Sequence, residues 1–212
     1  MRQTIFKRFL VVMLLFSVCF SISEIYADDT VQDPLTYMKH VSTSLLASLN
    51  AHKADLGNHR VVSKIIYEKV VPHFDLGTMA RSVLGRHFWD QATPTQRKDF
   101  IHEFTDMIVN TYASAVEQYD GDTIKFHPLR SNYDKYRLIS LSSHVIRPNG
   151  NKILLVYKLI RRGKQWRVYD FSIESISMVS SYRSQFSGVL HKSGVEGLIA
   201  RLKTHNSKVN RG

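Results

Sequence analysis

The hydrophobic pattern of this chain switches from a helical to a strand period near Asp120-Gly121, and that switch constrains the fold more than any other feature. Before it, apolar residues recur every three or four positions, as along the buried face of an α-helix. After it, they alternate with polar residues, as along a half-buried strand. Helical spacing returns after residue 177. Helices, an antiparallel sheet and helices again predict an α+β domain.

Three helices are predicted first, at residues 34–53, 61–70 and 76–84. Asp75 can cap the third, and Leu84-Gly85 is expected to end it. A fourth helix has the strongest local signal, because Thr93-Pro94-Thr95-Gln96 combines a cap, a proline at the first helical position and a capping box. Its broad apolar stripe, running to about Tyr119, is typical of a helix that lies across a sheet.

About four strands are predicted, at residues 123–126, 137–146, 152–161 and 165–173. The turn residues Pro148-Asn149-Gly150 and Gly163-Lys164 join the last three strands into hairpins, so the sheet is antiparallel. Two helices follow at residues 178–190 and 195–203, and the polar tail, residues 204–212, is expected to fray. The sheet is therefore expected to be packed by N-terminal and C-terminal helices.

Residues 1–27 have the pattern of a cleaved secretory signal. Arg2, Lys7 and Arg8 precede an apolar run too short for a membrane anchor, and Ala27 suits the residue before cleavage. The single cysteine, Cys19, lies inside this segment, so the mature chain forms no disulfide or thiolate site. We expect an exported protein with one domain, residues 28–203.

The mature chain is basic. Without residues 1–27 it holds 26 basic and 17 acidic residues, a net charge of +9. This balance favours an anionic partner such as phospholipid headgroups, although a generally solvated basic surface explains it as well. Nucleic acid is not expected, because the chain is exported and its charges are scattered.

No catalytic, metal or cofactor motif is found. The ten histidines include no H-x-x-x-H pair, and no glycine-rich phosphate loop or nucleophile elbow occurs. Asp170 and Glu174 are weak as a catalytic carboxylate pair, and structural hydrogen bonding at a strand end is the better interpretation. The sequence therefore predicts a protein that is not an enzyme and needs no cofactor.

Two stretches carry a family resemblance. Residues 70–119 contain VVPHFD, MAR, VLG and ATPTQR, and residues 166–203 contain WRVYDF, ESISM, YRSQF and GVEGLI. Their combined order and spacing resemble the MlaC family, the periplasmic phospholipid-binding component of the Mla transport system, also called the toluene-tolerance auxiliary family. One departure is Ser175, where that family more often has glycine.

The resemblance implies a soluble periplasmic carrier in a Gram-negative cell. Such proteins shuttle a two-tailed phospholipid between an outer-membrane lipoprotein–porin complex and an inner-membrane ABC transporter complex, which maintains outer-membrane lipid asymmetry. The implied fold is a curved antiparallel sheet packed by helices, similar to the nuclear-transport-factor-2-like (NTF2-like) or cystatin-like group. The acyl chains are expected between sheet and helices.

The candidate lining of that space comes from the apolar pattern. It combines the fourth-helix stripe, inward strand residues and the segment after the last long strand: Phe104, Ile108, Tyr112, Ile139, Leu141, Val145, Leu155, Tyr157, Phe171, Ile173, Ile176 and Met178. The strands predicted at residues 152–161 and 165–173 are apolar on both sides, so which of their faces meets a ligand stays open. Arg81, Arg86 and Arg147 are candidates to contact headgroups or partner complexes, and solvated arginine is the alternative for each.

Two other classes of protein remain open from the residues alone. An enzyme of the NTF2-like fold would act on a small apolar substrate in a pocket built around histidine and aspartate. A periplasmic adaptor without cargo would bind its partners through the basic surface.

Overall fold

The computed structural model describes residues 31–129 and 132–209 of the 212-residue chain. The predicted leader, residues 1–27, lies outside the described residues. The described helices are α1 Pro34–Ala51, α2 His59–Lys69, α3 Leu76–Gln91, α4 Pro94–Val116 and α5 Met178–Val209. The described strands are β1 Thr123–Phe126, β2 Leu138–Ile146, β3 Lys152–Arg162, β4 Gln165–Ile173 and β5 Ile176–Ser177. None of these helices is long and apolar enough to cross a membrane.

Side-chain caps begin three helices where the sequence predicts them. Asp33 accepts a hydrogen bond from the backbone N–H of Thr36 (2.8 Å), and Asp75 accepts one from Thr78 (2.9 Å). The capping box of α4 is complete. The backbone N–H of Gln96 donates to the Thr93 hydroxyl (3.1 Å), and the backbone N–H of Thr93 donates to the side-chain oxygen of Gln96 (3.0 Å). Each cap pairs backbone N–H groups that the first helical turn leaves without partners.

Two glycines bend helices where the sequence predicts that helices end. Gly85 has φ 74° inside α3, so the regular helix breaks where the sequence predicts its end, and a further helical segment then continues to Gln91. Gly194 has φ 63° and divides α5 into two helical segments, in agreement with the two C-terminal helices that the sequence predicts. A positive φ costs glycine little, so both positions bend the backbone without side-chain strain.

The C-terminal helix also extends beyond the predicted start of fraying. α5 continues past residue 204 to Val209. Asn206 is 4% exposed, and its side-chain amide donates hydrogen bonds to the backbone oxygen (2.9 Å) and the carboxylate (2.8 Å) of Glu103 in α4. These bonds tie the last turns of α5 to α4.

The five strands form one antiparallel sheet in the order β1-β2-β3-β4-β5. The four longer strands begin and end within one residue of their predicted limits. The two-residue strand β5 is not predicted. It follows a turn in which Glu174 (φ 47°) and Ser175 (φ 71°) both have positive φ, a hairpin turn that is usually signalled by Asn-Gly.

The register separates the sheet into two faces. One face, called here the inner face, has Ile139, Leu141, Ser143 and Val145 of β2 opposite Leu159, Tyr157, Leu155 and Ile153 of β3. A register shift after Lys158 keeps Val168 of β4 in the inner-face row. The other face has Ser140, Ser142 and His144 of β2, and hydrophilic residues such as these suit a solvated sheet face.

The buried core consists of three clusters that surround the inner face. The largest joins α3, α4 and α5 through residues such as Phe100, Phe104 and Tyr182. The second joins α1, α2 and α4. The third packs Met38 of α1 against Leu141, Leu159, Trp166 and Val168 of the sheet. Helix α1 therefore packs against the inner face of the sheet.

Candidate functional site

All eight predicted lining residues on the strands lie on the inner face. Ile139, Leu141 and Val145 of β2 share it with Leu155 and Tyr157 of β3. Tyr157 is opposite Phe171, Leu155 is opposite Ile173, and Ile173 is opposite Ile176. The register thus places the candidate lining on the face of the sheet against which helix α1 packs.

One end of the inner face is tightly packed. Leu159 and Trp166 are 0% exposed, Val168 is 1% exposed and Leu141 is 2% exposed. Met38 of α1 packs into the same cluster, and the Trp166 indole donates a hydrogen bond to the backbone oxygen of Gln32 (3.0 Å). We call this the closed end of the inner face, since side chains fill it as in an ordinary core.

The other end, toward the β2–β3 hairpin, is apolar but less covered. Val145, Ile153, Leu155 and Ile173 are only partly buried and belong to none of the three packed clusters of the described residues. Ile176 is 61% exposed, so it lies at the edge of this region and not in its interior. We call this region the open end. Apolar side chains that share one face and stay partly accessible are typical of a binding groove.

Some residues of the apolar stripe of helix α4 contact the sheet, and others do not. The Tyr112 ring is in edge contact with the Phe171 ring of β4, with centroids 5.5 Å apart, and the Tyr112 hydroxyl contacts the Met178 sulfur. Ile108, one turn earlier, is partly buried. Phe104 instead packs on Phe186 and Tyr182 of α5, so it belongs to the helical core behind the groove.

Two polar groups in the middle of the inner face satisfy each other. The hydroxyls of Ser143 and Tyr157 form a hydrogen bond of 3.2 Å across two strands. Burial raises the pKa of Tyr157, and the hydrogen bond from Ser143 only partly offsets this effect. Burial also raises the pKa of Tyr112 to about 12, with a further contribution from Tyr182. Both phenols therefore stay neutral at physiological pH, and neither puts a charge on the inner face.

Three residues of the same face were missed by the sequence analysis. Ile153 lies opposite Val145, and Ile124 and Phe126 of β1 lie opposite Val145 and Ser143. The Phe126 and Tyr157 rings have centroids 6.0 Å apart. The alternation in β1 is a usable signal, but β3 is apolar at nearly every position and its sequence does not reveal which side chains point inward.

The polar candidates of the sequence lie elsewhere. Asp170 is 2% exposed and accepts hydrogen bonds from Lys158 (2.9 Å), Ser177 (2.8 Å) and the backbone N–H of Val179 (3.1 Å), so it anchors the start of α5. Glu174 accepts from the N–H of Leu154 (2.6 Å), separately from Asp170. Both carboxylates therefore have structural partners.

Basic side chains of the β3–β4 hairpin also have partners within the protein. Arg162 forms an ion pair of 2.6 Å with Asp75, Lys158 pairs with Asp170, and Arg161 donates to the backbone oxygen of Asp134. These contacts reduce the suitability of the hairpin as an anion site. Among the described residues, no group of three or more histidine, cysteine or acidic side chains is arranged to hold a metal ion.

Two shallow clefts lie away from the inner face. One, of about 400 Å³, separates α2 from α4, and the other, of about 510 Å³, follows the bend in α5. They are lined mainly by polar and charged residues and include none of the predicted lipid-binding residues.

Comparison with known proteins identifies relatives of this chain. A sequence model of the family described as MlaC protein matches residues 39–204. The intermembrane phospholipid transport system binding protein MlaC of Haemophilus influenzae is 24% identical over 179 residues, which cover 82% of this chain and 83% of that protein. Toluene tolerance protein ttg2D of Pseudomonas putida is 23% identical over 164 residues, covering 77% of this chain and 75% of that protein.

A solved structure is similar over the same region. It is a phospholipid-binding protein from Ralstonia solanacearum, in complex with a phospholipid. The TM-score is 0.77 and the sequence identity 29%, covering 84% of this chain and 99% of that one.

Proposed function

This chain belongs to the MlaC family, and we propose that it is a phospholipid carrier that shelters the acyl chains of its cargo between the inner face of the sheet and α4. The observation that carries the proposal is the open end of the inner face, where a continuous set of apolar side chains is neither packed nor fully exposed. Relatives that bind or transport phospholipid have the same fold and family.

The physical need for such a shelter is large. A two-tailed lipid has about 30 methylene groups, and exposing them to water costs on the order of 25 kcal/mol at about 0.8 kcal/mol each. A carrier need not bind the tails more tightly than a bilayer does, because moving them between two apolar surroundings is nearly neutral. An apolar groove that keeps charges away from the tails meets that requirement, whereas a cleft lined by charged residues, such as that between α2 and α4, does not.

Within this proposal the predicted lining residues take different positions. Val145, Leu155, Ile173 and Tyr112 contact the tails, Ile176 lies at the mouth, and Leu141 and Phe104 form the packed wall behind them. Tyr157 and Phe171 lie at the boundary between the closed and open ends, where the groove begins.

We further propose that the carrier works in the periplasm and exchanges lipid with an inner-membrane ABC transporter complex and an outer-membrane lipoprotein–porin complex. The export pattern of residues 1–27 supports the compartment, and the name of the Haemophilus influenzae relative supports transport between two membranes. The basic charge of the chain suits approach to anionic surfaces and partners.

A carrier is favoured over an enzyme and over an adaptor without cargo. The described strand residues of the inner face include no histidine, aspartate or glutamate, and the hydroxyls of Ser143 and Tyr157 are bonded to each other. General acid–base chemistry lacks its usual groups there. An adaptor has no need of a partly uncovered apolar sheet face.

The test is direct extraction of cargo. The protein is produced with its leader in a Gram-negative host, purified without detergent from the periplasmic fraction, extracted with organic solvent and analysed by mass spectrometry. About one phospholipid per chain is the expected result. Folded protein that carries no lipid, and that takes up none from phosphatidylethanolamine vesicles, contradicts the proposal.

A further inference from the structure

Arg147 ends the row of inner-face residues at the open end. Its backbone N–H bonds to the oxygen of Asn151 (2.9 Å), which extends the β2–β3 ladder by one step beyond Ile146. Because side chains alternate along a strand, Arg147 follows Ser143 and Val145 on the inner face, about 7 Å beyond Val145. The apolar groove thus terminates in a cation.

The charge of Arg147 has no partner in residues 31–129 and 132–209. Its Nε is buried and without a hydrogen-bond acceptor, and no carboxylate in those ranges forms an ion pair with it. Asp122, which the β1–β2 register places opposite Arg147, lies beyond ion-pair distance. Arg162, in contrast, pairs with Asp75.

A buried guanidinium nitrogen without an acceptor is costly, since burial removes its water and nothing replaces it. The arrangement therefore calls for an anionic group that bonds to the guanidinium when the groove is occupied. Guanidinium matches phosphate oxygens with two parallel hydrogen bonds, which strengthens and orients the contact.

We infer that Arg147 binds the phosphate of the cargo's headgroup, an inference that rests on the proposed carrier function. The order of groups along the face matches the order in the lipid, with apolar side chains where the tails lie and a cation where the phosphate begins. The phosphate is common to all phospholipids, so this contact selects phospholipid over an uncharged diacylglycerol and does not depend on the headgroup substituent.

The experiment compares two lipids that differ only in the phosphate-containing headgroup. Wild-type protein, Arg147→Met and Lys152→Met are stripped of lipid and titrated with phosphatidylethanolamine and with diacylglycerol of identical fluorescent acyl chains. Lys152 is the control because it is an exposed cation opposite Ile146, on the other face of the sheet. Thermal unfolding establishes that each variant is folded.

Wild type and Lys152→Met should prefer the phospholipid by at least about tenfold, the usual worth of charge-assisted hydrogen bonds. Arg147→Met should lose about tenfold or more in phospholipid affinity and none in diacylglycerol affinity, whereas Arg147→Lys should keep part of the preference. An unchanged preference in folded Arg147→Met overturns the inference while leaving the carrier function intact. Failure of wild type to bind either lipid overturns both.

A second arm distinguishes a lipid phosphate from free phosphate. Inorganic phosphate, compared with chloride at equal ionic strength, should neither stabilise the stripped wild-type protein through Arg147 nor displace bound phospholipid. If inorganic phosphate raises the melting temperature of wild type but not of Arg147→Met, and the lipid preference is absent, Arg147 is a free-ion site and the inference is wrong.

Discussion

Replacing Leu155 with glutamate should abolish phospholipid binding without unfolding the protein. Leu155 lies on the inner face at the open end, opposite Ser143 and Ile173, and is only partly buried. In the stripped protein the new carboxylate stays hydrated in the groove, so folding changes little. In the loaded protein the acyl chains cover it, and the ionised form becomes unfavourable.

The size of the effect follows from protonation. The least costly way to bury the side chain is to neutralise it, and protonating a glutamate of pKa about 4.3 at pH 7 costs about 3.7 kcal/mol. That energy corresponds to a loss of affinity of about 500-fold. Since the loaded state holds the proton, binding strengthens as the pH falls, and between pH 7 and pH 5 the variant should regain about 2.7 kcal/mol, or roughly a hundredfold.

The adjacent residue supplies the matched control. Val156 is the next residue on β3 and faces the opposite side, opposite Ser142 and Ser172. Fluorescent phospholipid titrations of Leu155→Glu and Val156→Glu at pH 7 and pH 5, with thermal unfolding of both, complete the experiment. If folded Leu155→Glu binds lipid as well as Val156→Glu at pH 7, the inner face does not hold the tails and the reasoning fails.

Two further predictions concern stability. Ser175 has φ 71°, a region of backbone conformation that costs a non-glycine residue roughly 1–2 kcal/mol. Glycine avoids this cost but loses more backbone entropy on folding, so Ser175→Gly should stabilise the protein by about 0.5–1 kcal/mol. The melting temperature should rise by about 2–3 °C. Ser184→Gly, at an exposed position within α5, should do the opposite, and equal effects at both sites would contradict the conformational argument. Burial opposes ionisation of Asp75, but hydrogen bonds from Thr78 and Arg162 outweigh it and hold the pKa of Asp75 below the ordinary value of 3.8. A lowered folded-state pKa stabilises the protein above about pH 4, and this stabilisation is lost as the pH falls below that value. In urea unfolding, Asp75→Asn should therefore be less stable than wild type, by a difference that shrinks on acidification. A stability difference that does not depend on pH would refute the assignment.

Local chemistry accounts for the features that the sequence predicts correctly. Asp75 and the box formed by Thr93 and Gln96 pair the free N–H groups of a helix start with side chains three residues away. The strands follow from alternation and from turn residues that are close in sequence. Such signals need no distant contact, and the helix starts and strand limits they predict agree with the structure.

Errors arise where a short-range signal has two outcomes. A glycine can end a helix or only interrupt it: Gly85 and Gly194 break the regular helix as predicted, but residues 86–91 continue α3 beyond the break. The polar residues after Lys203 predict fraying, but Asn206 bonds to Glu103, a residue about one hundred positions earlier. The turn at Glu174-Ser175 is imposed by pairing of β5 with β4 and not by turn-forming residues.

By itself, the sequence determined the family, the α+β class, the order of helices and strands, and the set of apolar residues from which a groove can be built. Only the tertiary structure decided which side of β3 and β4 faces the helices, because both strands are apolar on both sides and the register is set by neighbouring strands. It also decided that α1 fills one end of the inner face and leaves the other partly uncovered, and that Arg147 beyond it has no partner among the described residues. Burial and charge pairing depend on residues far apart in the chain, so no local pattern specifies them.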